Sequence, residues 1–299
     1  MTRKATDPTK GLGWGVFLAG FVPGLLQHRL GQPRNAVIAA LSCTALFFAG
    51  WAIVDQRLFY WGLVAPDDSG SIVQYLARFG AVTLPEVLNL PASTIGAALA
   101  FDGSPSGLRL ERLLTAGEHL GGWLTGASGM LAAFWAAQAH WQYRLRRDAR
   151  PAEGQPLPQP TAHPALCAAL SWLVPGLGHA KAGQKDKGVL MGLAVLAVFA
   201  LGLLVSGGRA VDRADNAVWW IGQNLFGGGS LFASLVTAPM RGEGVPLDLD
   251  LGVVLCTVAG LMNLVVMVDA FTVAERSVFP VVAPGDGDRG DGRGDEVTA

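Results

Sequence analysis

FVPGLLQHRLGQ, residues 21–32, returns 152 residues later as LVPGLGHAKAGQ, residues 173–184. The register holds without a gap from 16 to 57 against 168 to 209, with 13 identities in 42 positions. They include Pro23/Pro175, Gly24/Gly176, Leu25/Leu177, Gly31/Gly183 and Gln32/Gln184. Apolar bias alone produces matches between any two greasy helices. It does not produce P-G-L followed at fixed spacing by G-Q. A weaker register, shifted by 131, aligns 118–140 with 249–271 and lays Gly121 on Gly252 and Gly129 on Gly260. Only 5 of those 23 positions are identical, but the block falls in the right order. The chain therefore reads as one unit written twice.

Composition says what kind of unit. Of 299 residues, 51% are hydrophobic and 15% charged, where a soluble domain is about a quarter charged. Lys and Arg number 22 against 23 Asp and Glu. That argues against an ordinary soluble enzyme, and a nucleic-acid binder needs a net basic footprint. The reading is an integral membrane protein.

A spanning helix needs about 20 mostly apolar residues. Four stretches approach or exceed that without a charge: 36–54, 120–143, 188–208 and 251–268. Three more are broken, 11–26 and 162–178 by Pro-Gly and 216–240 by Gly227-Gly228-Gly229. Such breaks survive in a membrane only where protein satisfies the freed backbone, so these three are expected as half-spanning, re-entrant or interfacial helices. The segments 58–117 and 210–248 are too apolar for free loops and are expected to lie at, or dip into, the opposite face. The fold class is all-α: a polytopic helical membrane protein of two parallel repeats, with about four crossings. Its parts are an N-terminus at 1–10, repeats at 11–150 and 165–276, a Pro-rich linker at 151–164 and a disordered Gly/Asp-rich tail at 277–299.

If the four clear runs cross, 15 Lys and Arg fall on the side of the termini and 7 on the other. By the positive-inside rule, both termini are cytoplasmic. If 11–26 and 162–178 crossed as well, the basic run 144–150 would oppose Lys181, Lys185 and Lys187. Trp51, Trp61, Trp141, Trp172, Trp219 and Trp220 lie near run ends, where interfacial aromatics belong. No cleavable signal peptide is expected. Cys43, Cys167 and Cys256 form no CxxC and read as buried hydrophobes.

The sharpest motif runs from Val174 to Gly188, V-P-G-L-G-H-x-x-x-G-Q-x-x-x-G. It is a helix end, a tight turn and a helix start: Pro175 strains a continuing helix, and Gly176, Gly178 and Gly183 permit positive φ or close approach. His179 could bind metal or shuttle a proton, but the first copy has Gln27 at that register, so the turn itself is the first reading. In the closing run AGLMNLVVMVDAF, 259–271, Asn263 is the deepest polar residue. Intramembrane polar residues are functional candidates by default, although Asn263 reads first as an interhelical hydrogen bond. Asp269 lies near the membrane edge and is expected to pair with Arg276 or cap a neighbour. Gln138 and His140 occupy a similar edge in the first copy, where Ala132 stands for Asn263 and Gln138 for Asp269. Glu118 and His119 are adjacent on a helix and point apart. Gly122-x-x-x-Gly126 and Gly188-x-x-x-Gly192 suit close helix packing.

The PGLGH opening and the NLVVMVDA closing run resemble an uncharacterised bacterial inner-membrane family, of the domain of unknown function 6677 type, over about 165–276. The opening is also distantly similar to two-helix membrane domains with a P-G-x-G motif. The resemblance implies a fold and a place, with no established activity. No catalytic, cofactor or metal site is expected, and the only certain partner is the bilayer. Of three function classes, a structural or assembly component without catalysis, bound to a membrane-protein partner or a second copy, comes first. A small-solute or ion transporter or channel comes second, and a lipid-acting enzyme third.

Overall fold

The computed structural model describes residues 20–54, 85–102, 115–148, 159–213, 216–237 and 247–279, and every regular element among them is helical. In chain order these are α1 (Leu25–Arg29), α2 (Pro33–Val54), a 3-10 turn (Glu86–Asn89) that runs into α3 (Leu90–Asp102), α4 (Ala116–Asp148), α5 (Pro164–Leu173), α6 (Leu177–Lys181), α7 (Lys185–Val205), α8 (Ala217–Asn224), α9 (Gly228–Thr237) and α10 (Leu249–Arg276). The expectations for 1–19, 55–84, 103–114, 149–158, 214–215, 238–246 and 280–299, which include most of the linker and of the tail, lie outside the described residues.

Among the described residues three helices, α2, α7 and α10, are long and apolar enough to cross a membrane. Their apolar residues do not confine themselves to one stripe. Leu41 on α2, Leu190 and Leu204 on α7, and Val265 and Val268 on α10 all face outward. A helix apolar all round belongs in a large core or a bilayer, and these outer faces have no protein over them.

The expected crossing at 120–143 is a single helix of 33 residues, but α4 is not among the three that composition qualifies. The physical reason is its surroundings. It packs on α2, the 3-10 turn, α5 and α9, and buries Thr125, Ser128, Gly121, Gly122, Gly126 and Gly129. A helix sheathed by protein needs no apolar coat of its own.

Two helix pairs fix the frame. Gly50 of α2 meets Gly121 of α4, and Gly202 of α7 meets Gly252 of α10. In each pair a Cβ on either glycine would run into its neighbour's backbone or side chain. These contacts join the end of one helix to the start of the next, so each pair is antiparallel. Arg144 near the end of α4 bonds Glu275 near the end of α10 at 2.5 Å, which sets α4 and α10 side by side and parallel. One end of the bundle, the turn end, gathers the starts of α2 and α7 and the finishes of α4 and α10.

The broken run 216–240 is two short helices, α8 and α9, interrupted at Leu225–Gly227. At 8 and 10 residues each is about 12–15 Å long, half of a hydrocarbon core of about 30 Å. The run 162–178 is likewise short, with α5 of 10 residues ending at the turn. All three cysteines are free and buried, as expected. The tryptophans differ: Trp141, Trp172 and Trp220 are buried, because the rings of Trp172 and Trp220 join the apolar core and that of Trp141 packs on Phe279. Packing also passes two expected boundaries. Ala162 is buried, and Phe279 sits edge-on to Trp141 and under the Arg144 guanidinium.

Replacing Gly252 with Leu forces a side chain into Ser206 and the Gly202 carbonyl, and overpacking of this kind costs about 1–3 kcal/mol. In detergent, thiol-dye labelling of Cys43, Cys167 and Cys256 on heating should begin at a clearly lower temperature in Gly252→Leu. Val265→Leu, on an outer face, should leave the curve where it is.

Candidate functional site

The two Pro-Gly turns have one backbone. Gly24 has φ 88° and Gly176 φ 84°, and Gly31 and Gly183 follow at φ 71° and 90°. Only glycine takes such angles without penalty, and a Cβ on Gly24 or Gly176 would also strike the carbonyl of Ala36 or Gly188. The amide of Leu25 donates to Val22 O, that of Gln32 to Gln27 O and that of Ala36 to Gln32 O; Leu177, Gln184 and Gly188 donate to Val174, His179 and Gln184 in the same pattern. Pro23 and Pro175 precede the glycines in each turn. Gly178, which faces the Cys167 carbonyl too closely for any side chain, has Leu26 at its counterpart.

Each turn directs one polar side chain at the long helix beside it. His179 is fully buried, and its Nε2–H donates to Asp269 Oδ2 on α10 at 2.6 Å. The same carboxylate oxygen pairs with Lys187 in the first turn of α7. The expected partner Arg276 is not what holds Asp269. The carboxylate instead ties the turn, the start of α7 and α10 into one corner. His179 Nδ1 is buried without a partner. In the first half, Gln27 is equally buried. Its Nε2 donates to Trp135 O at 2.7 Å and reaches Gln138 Oε1 at 3.4 Å. Gln27 precedes His179 by 152 and Gln138 precedes Asp269 by 131, so both sequence registers meet in one contact.

Asn263 has a different task. At the break between α8 and α9 side-chain donors reach three carbonyls: those of Asn224 and Gly227 also accept from the amides of Gly227 and Leu231, and that of Leu225 is met by Asn263. Asn263 Nδ2 donates to Leu225 O at 2.8 Å, Trp172 Nε1 to Asn224 O at 2.9 Å and Trp123 Nε1 to Gly227 O at 3.0 Å. Trp123 and Trp172 stack on each other, 5.3 Å between centroids.

Sequence reasoning missed a second polar centre, far from the turns. Arg213 Nη1 contacts Glu86 Oε1 at 2.6 Å with both side chains buried, and Thr125 Oγ1 donates to the same oxygen at 2.8 Å. Arg213 also donates to Gly122 O and lies over the Trp220 ring. A lone acid inside VTLPEVLNLP was the available signal. Also missed was the role of Glu118, whose carboxylate accepts from Thr115 N and Oγ1 while its own amide takes Thr115 Oγ1. That is a capping box, legible as T-x-x-E at 115–118.

The candidate residues therefore do not converge. Asn263 caps the α8 break, and Asp269 and His179 lock the second turn. His140 is exposed on α4, on the wall of a cleft of about 520 Å³ between α4 and α10. Among the described residues no group of three or more His, Cys, Asp or Glu side chains is placed to hold a metal.

Among the described residues every regular element is helical and three apolar helices have spanning length, which places the chain in the class of helical proteins with the build of membrane proteins. Residues 166–278 match a family described as a family of unknown function, DUF6677, and this is the stretch with the second turn, the α8–α9 break and the closing helix. No curated protein and no solved structure matches the chain.

Removing Asp269 leaves the buried His179 N–H unbonded, and an unmade buried bond of that kind costs about 1–3 kcal/mol. Asp269→Leu should lower the detergent melt by that amount, and Asp269→Asn, which still accepts from His179, by less. A third substitution, Asn263→Leu, should cost about 1 kcal/mol, the scale of interhelical bonds in membranes.

Proposed function

We propose that this chain is a structural or assembly component of a bacterial cytoplasmic membrane, without catalysis. It consists of two parallel copies of one unit, with α2, α4, α7 and α10 crossing, α5, α8 and α9 half-inserted and both termini cytoplasmic. The observation that carries the reading is where its interior polar side chains go. Asn263, Trp123 and Trp172 bond carbonyls at the α8–α9 break, and Asp269 bonds both His179 and Lys187. Groups so committed hold a shape.

Duplication is supported by the repeated turn, by the paired glycine crossings and by the agreement of Gln27–Gln138 with His179–Asp269. It is also supported by Arg144 and Glu275, which lie 131 residues apart and touch. Parallel copies of this kind usually relate by an axis along the membrane normal.

One observation favours the transporter reading. Discontinuous half-helices are where many transporters bind their substrates, and α8 and α9 are such a pair beside the buried Arg213–Glu86 contact.

Co-purification in mild detergent after in-cell crosslinking tests the main reading. A reproducible membrane-protein partner or a second copy is expected, and a chain that always runs alone contradicts it. Reconstitution in liposomes tests the other: a solute or ion flux that disappears in Arg213→Leu, in protein that still melts cooperatively, would establish transport in its place.

A further inference from the structure

The cleft between α4 and α10, floored by Leu26 and Leu225, has no part in the turn and break contacts described above. Its long walls come from matching registers of the two helices: Ala133, Ala137 and His140 on α4 face Leu264, Val268 and Phe271 on α10. The void exists because α4 presents alanines where α10 presents large side chains. It opens sideways, since Leu264 and Val268 are exposed.

Size selects the occupant. From Met130 to His140 the cleft runs ten residues of helix, about 15 Å, which is half of a hydrocarbon core of about 30 Å. A volume of about 520 Å³ over that length leaves a section of roughly 35 Å². A slot of this length, narrow and open along one side, holds a single hydrocarbon chain, which reaches from one membrane edge to the midplane.

Charge selects the headgroup. The cleft ends at exposed His140, one turn before Arg144, Arg146 and Arg147. Arg144 is shared between Glu275 and Asp148, and Arg147 also leans on Asp148. Arg146 bonds the Leu30 carbonyl, which leaves its charge uncompensated, and Arg276 is exposed nearby. Four guanidinium groups thus stand against two carboxylates among the described residues. Lipid tails are as apolar as the walls, so the cleft discriminates between lipids through this basic rim.

We infer that the α4–α10 cleft is a binding site for one anionic phospholipid, with an acyl chain between the helices and its phosphate at His140 and the arginines. The site rests on the membrane reading and on the turn end lying at a bilayer surface. Native mass spectrometry after purification with equimolar phosphatidylglycerol and phosphatidylcholine of identical chains tests it. One retained phosphatidylglycerol is expected, at several-fold excess over phosphatidylcholine. Ala137→Phe and Ala133→Leu, each closing the cleft on the side of small residues, should reduce retention about tenfold with the melt unchanged. Equal retention of the two lipids, or undiminished phosphatidylglycerol in both cleft variants, overturns the site. Carbonate extraction separates the two readings: a chain released from membranes sinks both, and a membrane-held chain without lipid preference sinks only this one.

Discussion

A backbone broken inside an apolar medium has nowhere to put its carbonyls, and the rest of the structure is arranged around that constraint. The turn between α8 and α9 frees the carbonyl of Leu225 and leaves those of Asn224 and Gly227 with one backbone donor each, and the side-chain donors that meet all three come from three other helices: Trp172 on α5, Asn263 on α10 and Trp123 on α4. An unsatisfied polar group in hydrocarbon costs several kcal/mol, so those helices cannot drift. Trp123 is the far-reaching member. It belongs to the first half and caps the second, so the break also holds the halves together. Close packing at Gly126, against the Asn224 side chain, follows from the same approach.

The turn ends work by a related logic with different chemistry. In both halves a buried side chain of the turn reaches the adjacent long helix. In one it is a neutral Gln27–Gln138 contact, and in the other His179 with Asp269 and Lys187. The geometry tolerates a change of polarity because the position asks for a bond across the corner and not for a particular charge. Bonded ions near a membrane edge are less costly than at its centre, where charged residues are rare, and Asp269 and Lys187 keep part of their surface open.

Much of this was legible in residues. The P-G-L and G-Q spacing located the turns, uncharged runs located α2, α7 and α10, and the triple glycine located the break between α8 and α9. What stayed hidden was pairwise. Asn263 was visible as a polar residue, but its acceptor is a backbone carbonyl 38 positions away, and carbonyls have no letter. The Arg213–Glu86 pair spans 127 residues and sits in two segments read as outer-face helices. Trp172 was assigned to an interface because it stands at the end of a run. That run is a half-length helix, and its end lies in the interior. The Thr115–Glu118 box was local and within reach of the sequence alone.

The sheath around α4 has a consequence for biogenesis. A segment with five glycines and with Thr125, Ser128 and Gln138 along it partitions less well into lipid by itself, whereas α2, which packs along it, is strongly apolar. On the four-crossing reading, α4 then enters the bilayer against a neighbour already in place, and its Trp123 waits for a break synthesised a hundred residues later. The first half would leave the insertion machinery unfinished, and its completion would depend on the second.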